Sequence, residues 1–155
     1  MNRQTHVPSE AHAYESTCVC VQLRRLARSV TQAYDDALAG SGIKLTQFSL
    51  LRAVQRNEPA PIGVLADELE LDRTTLARNL RPLERDGLLT TSPAQSDQRV
   101  TEVSLTRQGR RAIAQALPRW HEAQAAMADR LGARRLAMLR ELSIELPGAL
   151  QSVDG

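Results

Sequence analysis

An acidic and a basic side chain stand two residues apart in the segment Ser96-Asp97-Gln98-Arg99. Just after it, Val103 and Leu105 are separated by a polar residue, as on a half-buried strand. An exposed arginine can enter a narrow, electronegative minor groove of DNA, and a neighbouring carboxylate can orient its guanidinium beforehand. The alternative is a polar turn with a weak local ion pair. The preceding elements decide between the two interpretations.

A basic helix is predicted directly before this hairpin. Asp72 is a favourable N-cap, and Gly87 stands where a helix commonly ends. The helical period places leucines on one face and polar residues on the other, namely Thr74, Thr75, Arg78, Arg81 and Arg85. Threonines in a first helical turn suit phosphate, and an arginine one turn later can reach base edges in the major groove. The alternative is a solvated amphipathic helix.

The remaining elements position these side chains. Apolar residues at helical spacing predict a helix over about 14–39, a second from the N-cap Thr46 to a break at 57–61, and a short third to about 70. Strands follow at roughly 88–92 and 100–105, and Thr106 begins a long helix that Gly132 interrupts before about 150. This order is typical of a winged helix-turn-helix. The predicted fold class is mainly α with a small β-hairpin.

Composition restricts the class of protein. The 155 residues suffice for one domain, and no apolar run approaches the roughly 18 residues of a membrane span. The N-terminus lacks the apolar core of a signal peptide, and Cys18 and Cys20 suit a reducing compartment, so a cytoplasmic protein without membrane association is predicted. Aromatic residues at 3% disfavour stacking on single-stranded nucleic acid.

Charge is distributed unevenly although the net charge is only +2. The stretch 57–72 carries five acidic residues and no basic one, whereas 73–86 and 99–111 are rich in arginine. Only Lys44 among the basic residues is a lysine, and arginine is better suited to forked contacts with phosphate and guanine. This pattern favours double-stranded DNA as the partner. The alternative from another class is a winged-helix protein-interaction module without DNA binding.

Two motifs resemble a known family. The pattern D-x-R-x-x-x-V-x-L-T-x-x-G, formed by Asp97, Arg99, Val103, Leu105, Thr106 and Gly109, resembles the wing signature of the multiple-antibiotic-resistance regulator (MarR) family. The junction Leu83–Leu88 is similar as well. The resemblance covers roughly 14–150 and implies a homodimeric DNA-binding regulator, usually a repressor. It implies a wing arginine in the minor groove and release from DNA by a small ligand or by cysteine oxidation.

The predicted organisation follows from the motifs and the resemblance together. Residues 1–13 form a flexible arm, and 14–150 form one domain, with a winged helix-turn-helix lobe at 46–105 and dimerisation helices at 14–39 and 106–150. Apolar residues on the terminal helices support a homodimer that reads an inverted repeat. They are Val19, Leu23, Leu26, Val30, Ala33, Tyr34, Leu38, Trp120, Met127, Leu131, Leu136, Leu139, Leu142 and Leu146. The alternative is that these residues complete the core of the monomer.

The effector is the open question. Cys20 resembles the reactive cysteine of the organic-hydroperoxide sensor branch of the family, with Tyr34 as a supporting tyrosine, but Arg24 stands where a second tyrosine is expected. A nearby arginine can favour the thiolate, and the alternative is that Cys20 is a small core residue. Tyr34 and Trp120 are also candidates for the walls of a ligand pocket, with core filling as the alternative.

No catalytic or metal site is predicted. His6, His12 and His121 lack metal-ligand spacing, and the sequence contains no nucleophile elbow, phosphate loop or paired-carboxylate pattern. We therefore expect neither an enzyme nor a cofactor.

Overall fold

The computed structural model describes residues 18–151, so the predicted arm at 1–13 and the first residues of the predicted first helix lie outside the described part. The fold is mainly α with a small sheet, as predicted. Its helices are α1 (Val19–Leu38), a 3-10 turn (Ala39–Ser41), α2 (Leu45–Asn57), α3 (Ile62–Glu68), α4 (Arg73–Arg85) and α5 (Arg107–Gln151), and its strands are β1 (Ala60–Pro61), β2 (Leu89–Pro93) and β3 (Thr101–Leu105). None of the described helices has the length and apolarity to cross a membrane.

The sheet has one strand more than the predicted hairpin. Its order is β1-β3-β2, with both pairings antiparallel, and β1 pairs Ala60 with Val103 and Pro61 with Glu102. The segment 57–61 was expected only to break the second helix, but it also supplies this edge strand. Proline is tolerated at a sheet edge because no further strand needs its missing N–H. A strand of only two residues, one of them Pro61, is too short to show a period-2 pattern in the sequence.

The N-cap predicted for the second helix is wrong by two residues. Lys44 occupies that position, and its backbone N–H donates to Gln47 Oε1 at 2.9 Å. The next N–H, that of Leu45, donates to Asp35 Oδ1 of α1 at 2.7 Å. The first N–H groups of a helix need such acceptors, and a carboxylate there also complements the helix dipole. The acceptor lies ten residues earlier in the chain, so no local pattern indicated it.

One hydrophobic core lies between the end of α1, α2, α3, α4, the sheet and the first turns of α5. Its large, fully buried side chains include Leu38, Leu51, Val54, Leu65, Leu76, Leu83, Leu89 and Val103. The wing motif requires glycine at position 109, because a Cβ there would stand 2.0 Å from the carbonyl oxygen of Leu88. Thr106 Oγ1 donates to the Gly87 oxygen at 2.6 Å. The start of α5 is thus held tightly against the end of α4.

The terminal helices differ from this core. At Gly132 the backbone leaves the helical region (φ 74°, ψ 160°), as the predicted interruption required. Large apolar side chains on α1 and on the segment after Gly132 remain exposed, including Val19 at 68%, Leu23 at 48%, Leu142 at 46% and Ile144 at 79%. The alternative that the terminal residues complete the monomer core is therefore wrong for Val19, Leu23 and Leu142, whereas Tyr34 and Leu38 are buried within the chain.

Candidate nucleic-acid interface

The start of α4 is built on Asp72, as predicted. Its carboxylate accepts the backbone N–H of Thr75 at 2.8 Å through Oδ1 and the Thr75 hydroxyl at 2.6 Å through Oδ2. These bonds, the hydroxyl bond first, hold the pKa of Asp72 below its usual range. The structure thereby separates the two predicted threonines. The Thr75 hydroxyl donates its hydrogen bond to Asp72, whereas the exposed Thr74 hydroxyl is available to a phosphate.

The outward face of α4 carries a row of polar side chains. Thr74, Arg78, Arg81 and Arg85 follow one another at intervals of three or four residues, and all four are exposed. The opposite face is the buried leucine stripe of Leu76, Leu80 and Leu83. Arg85 belongs to this row as fully as Arg78 and Arg81, as the helical period predicted. We call these four residues the α4 row.

The hairpin tip carries the predicted ion pair. Arg99 Nε donates to Asp97 Oδ1 at 3.1 Å, Nη2 donates to Oδ2 at 3.3 Å, and the backbone N–H of Arg99 donates to Oδ1 at 3.0 Å. The Arg99 side chain is nevertheless 90% exposed. Its guanidinium, followed by its backbone N–H, lowers the pKa of Asp97 below the usual range. The carboxylate therefore stays charged at neutral pH and orients an arginine that projects into solvent.

The predicted Cys20–Tyr34 pair does not form within one chain. The two residues are separated by about 21 Å along α1, from 14 steps of about 1.5 Å. Tyr34 is buried and donates its hydroxyl to Gln124 Oε1 at 2.5 Å, and burial raises its pKa. Cys20 is exposed in the first turn of α1, so the alternative that it is a core residue of its own chain is wrong. Cys18 is the N-cap, with extended backbone.

Of the two residues predicted to line a ligand pocket, Trp120 lies at a cavity and Tyr34 does not. Trp120 lines a cavity of about 300 Å³ between α2 and α5, together with Phe48, Ser49, Arg52, Arg56, Leu69, Leu117 and His121. The Trp120 ring lies 6.0 Å from that of Phe48 and 5.1 Å from the His121 ring. Tyr34 is not among the lining residues because its hydroxyl is directed at Gln124. The cavity thus combines aromatic walls with two guanidinium groups.

Within residues 18–151, no group of three or more histidine, cysteine, aspartate or glutamate side chains is placed to hold a metal ion. His6 and His12 lie outside this range.

Comparison with known proteins identifies the fold family. A family model described as the MarR family matches residues 41–100. The transcriptional regulator MosR of M. tuberculosis, solved in complex with DNA, is 36% identical, with 87% of this chain and 97% of MosR covered and a TM-score of 0.77. The chain belongs to the MarR family.

This MarR-family chain is also similar to two other transcriptional regulators. The organic hydroperoxide resistance transcriptional regulator of Bacillus subtilis is 29% identical over 91 residues, which span 59% of this chain and 62% of that protein. A mutant of MarR from E. coli, solved with operator DNA, shares 20% identity and a TM-score of 0.76, with 86% of this chain and 96% of that one covered. At this identity the second likeness concerns the fold alone.

Proposed function

We propose that this MarR-family chain is a homodimeric transcriptional regulator that binds double-stranded DNA with sequence specificity. The observation that carries the proposal is the pairing of two basic elements on one lobe. The α4 row presents three guanidinium groups away from the core, and the wing tip presents Arg99 already oriented by Asp97. A basic helix in the major groove and an arginine in the adjacent minor groove constitute a winged-helix reading geometry. The relative MosR was solved with DNA.

The side chains of the lobe take different roles in this proposal. Arg78 reads a base edge, because an arginine can donate two hydrogen bonds to a guanine. Thr74, near the N-terminus of α4, meets a phosphate, as do Arg81 and Arg85 further along the row. Thr75 contributes to the cap at Asp72, to which both its backbone N–H and its hydroxyl donate, and does not itself contact a phosphate.

A second copy of the chain covers the exposed apolar faces of α1 and of the segment after Gly132. Side chains such as Val19 and Ile144, exposed by 68% and 79%, are unusual for a surface and typical of an interface. A symmetric dimer presents two α4 rows, so its operator is an inverted repeat with half-site centres about one helical turn apart. The domain division proposed is a DNA-reading lobe at 46–105 between dimerisation helices at 14–39 and 106–150.

The proposed regulation is repression relieved by an effector. The cavity at Trp120 lies between α2 of the lobe and the long helix α5, so a ligand there can alter how the lobe sits on the dimerisation helices. Cys20 is an alternative trigger because it is exposed on α1, and the Bacillus relative is named for organic hydroperoxide resistance. Peroxide that releases the wild type from DNA but not Cys20→Ser would favour the thiol. Equal behaviour of both proteins would favour the cavity.

Selection of duplexes from random DNA with the full chain tests the proposed function. The wild type should enrich an inverted repeat, and Arg78→Ala should enrich a motif with one position relaxed by about 1–3 kcal/mol of discrimination. Thr74→Ala should weaken all sites alike. Arg134→Ala is the matched control for the loss of an exposed arginine outside the lobe, and its mass in solution is measured to show that it remains a dimer.

The rival function is a winged-helix module that binds protein and not DNA, and it would also lack enzymatic activity. Failure of the dimer to enrich any duplex at moderate salt would favour this rival. An Arg78→Ala variant that selects the same motif as sharply as the wild type would contradict the base-reading role but not DNA binding.

A further inference from the structure

One acidic side chain joins the end of α4 to the wing. Glu84 Oε1 accepts the backbone N–H of Thr91 at 3.2 Å and the Thr91 hydroxyl at 2.6 Å. Thr91 is the third residue of β2, and its partner across the ladder is the buried Val103. A single carboxylate oxygen therefore holds both donors of one strand residue against the helix that carries the α4 row.

Glu84 lies beside the α4 row and not in it. Successive helical residues turn by about 100°, so Glu84 projects from the flank of α4 opposite to Thr75. That flank faces β2, as the bonds to Thr91 require. Glu84 is exposed and stands outside the leucine stripe, so this contact adds little to the hydrophobic core. Its consequence concerns where the hairpin stands relative to the helix.

The spacing between α4 and the wing tip matters if both touch one duplex. When the α4 row is seated in a major groove, Arg99 reaches the neighbouring minor groove only from a narrow range of hairpin positions. A hairpin already held in that range loses less conformational freedom on binding, which strengthens the second contact. The backbone connection between α4 and β2 is only the turn at 86–88, so a side-chain contact three residues into the strand restrains the hairpin further out.

We propose that Glu84 is a positioning residue for DNA recognition: through Thr91 it sets the distance between the α4 row and the wing arginine Arg99. The inference rests on the proposed function of DNA binding. Glu84 is acidic and lies next to the α4 row, which contacts phosphates in the proposed complex. In this role Glu84 nevertheless favours DNA binding.

The charge of Glu84 and its contact with Thr91 predict opposite effects on DNA affinity when the side chain is removed. A carboxylate near DNA repels phosphates, so its removal should tighten binding if charge were its only effect. Glu84→Ala removes charge and contact together and is expected to weaken binding. Glu84→Gln removes the charge but keeps an acceptor oxygen at the same place, and is expected to bind as tightly as the wild type or more tightly.

A double-mutant cycle between Thr91 and Arg99 is the sharper experiment. Thr91→Val deletes the hydroxyl, leaves the charge of Glu84 unchanged and suits a strand. Its matched control is Thr90→Val, an exposed threonine one position earlier on β2 that is paired with Ser104. Affinity and its salt dependence are measured on the duplex that the full-length wild type selects from random DNA. Circular dichroism and the Tm of each variant report on the fold.

The proposal predicts coupling between the two sites. Arg99→Ala should weaken the wild type by about tenfold but the Thr91→Val protein by only about threefold or less. Thr91→Val alone should remove part of the one unit of salt slope that Arg99→Ala removes, because Glu84 then holds only the backbone N–H of Thr91 and Arg99 reaches its groove less often. Thr90→Val should change neither quantity.

Additive effects within about twofold, or an unchanged salt slope in Thr91→Val, would overturn the positioning role. If Thr91→Val lowers the Tm strongly, Glu84→Ala and Glu84→Gln give the same comparison from an exposed site with β2 intact. Equal affinity of those two variants would then overturn it. Failure of the wild type itself to bind any duplex would contradict the proposed function instead, so the two failures are distinguishable.

Discussion

The DNA-reading lobe and the terminal helices treat their apolar residues in opposite ways. In the lobe, Leu51, Leu65, Leu76 and Val103 are completely buried within a single chain. On the terminal helices, Val19 and Ile144 are largely exposed although their periodicity is just as helical. The difference shows that the same amphipathic pattern can build the core of one chain or leave an apolar face on its surface. The lobe buries its stripe by folding, whereas the terminal helices leave theirs exposed in the single chain, where the proposed second copy would cover it.

Disrupting the proposed dimer is the strongest test of this contrast between the buried lobe and the exposed terminal helices. Leu23→Asp combined with Leu142→Asp introduces charges on both exposed faces, and we expect a monomer that binds the operator at least about a hundredfold more weakly. Val64→Asp is the control, because Val64 is 44% exposed but lies on α3 of the lobe. Mass in solution and operator affinity are the measurements. A double variant that remains a dimer would refute the interface.

Truncating the lobe core tests the other half of the contrast. Leu76 is fully buried on the inner face of α4, so Leu76→Ala should lower the free energy of unfolding by about 2–5 kcal/mol. Urea denaturation measures the loss. The same truncation at the exposed Met138 should cost far less in the monomeric background. Equal costs at the two sites would remove the distinction between a folded core and an uncovered face.

At the wing tip, Arg99→Ala should weaken operator binding by about tenfold and leave the Tm unchanged, because the side chain is 90% exposed. The salt dependence of binding should fall by about one unit of slope. Gel shifts at several salt concentrations measure both. Unchanged affinity at moderate salt would show that the oriented arginine does not enter the DNA.

The smallest expected effect lies where α1 and α5 are joined. Tyr34→Phe removes the hydrogen bond to Gln124 and should reduce the free energy of unfolding by about 1 kcal/mol. Burial raises the pKa of Tyr34, so the neutral phenol is favoured in the folded state. Its contribution is therefore complete below the unfolded pKa of about 10 and is lost as pH rises through the folded pKa. A wild-type advantage over Tyr34→Phe that does not decline at alkaline pH would contradict this account.

Local chemistry made some features predictable. The cap at Asp72, the glycine after α4 and the alternation at Val103 and Leu105 each use residues within a few positions of one another, and the structure contains all three. The contact between Asp97 and Arg99 is equally local. The same helical spacing places Arg85 on the face of Arg78, and the structure leaves both side chains exposed.

Features that depend on distant partners were not predictable. The acceptor that caps α2 comes from Asp35, the strand β1 exists because Val103 lies beside Ala60, and Tyr34 faces Gln124 instead of the cavity at Trp120. In the sequence Glu84 is one more charge on a basic helix, and only its contact with Thr91 of β2 distinguishes it.

The sequence by itself determined the order of the helices and the hairpin, the basic face of α4 and the oriented arginine of the wing. Those features follow from period, capping and turn chemistry, which act over one or two helical turns. Only the tertiary structure decided how the hairpin is held to α4 and α5, which side chains line the cavity at Trp120, and which apolar stripes stay uncovered. Such outcomes depend on side chains far apart in the chain being packed against one another, and no local pattern specifies which of them will meet.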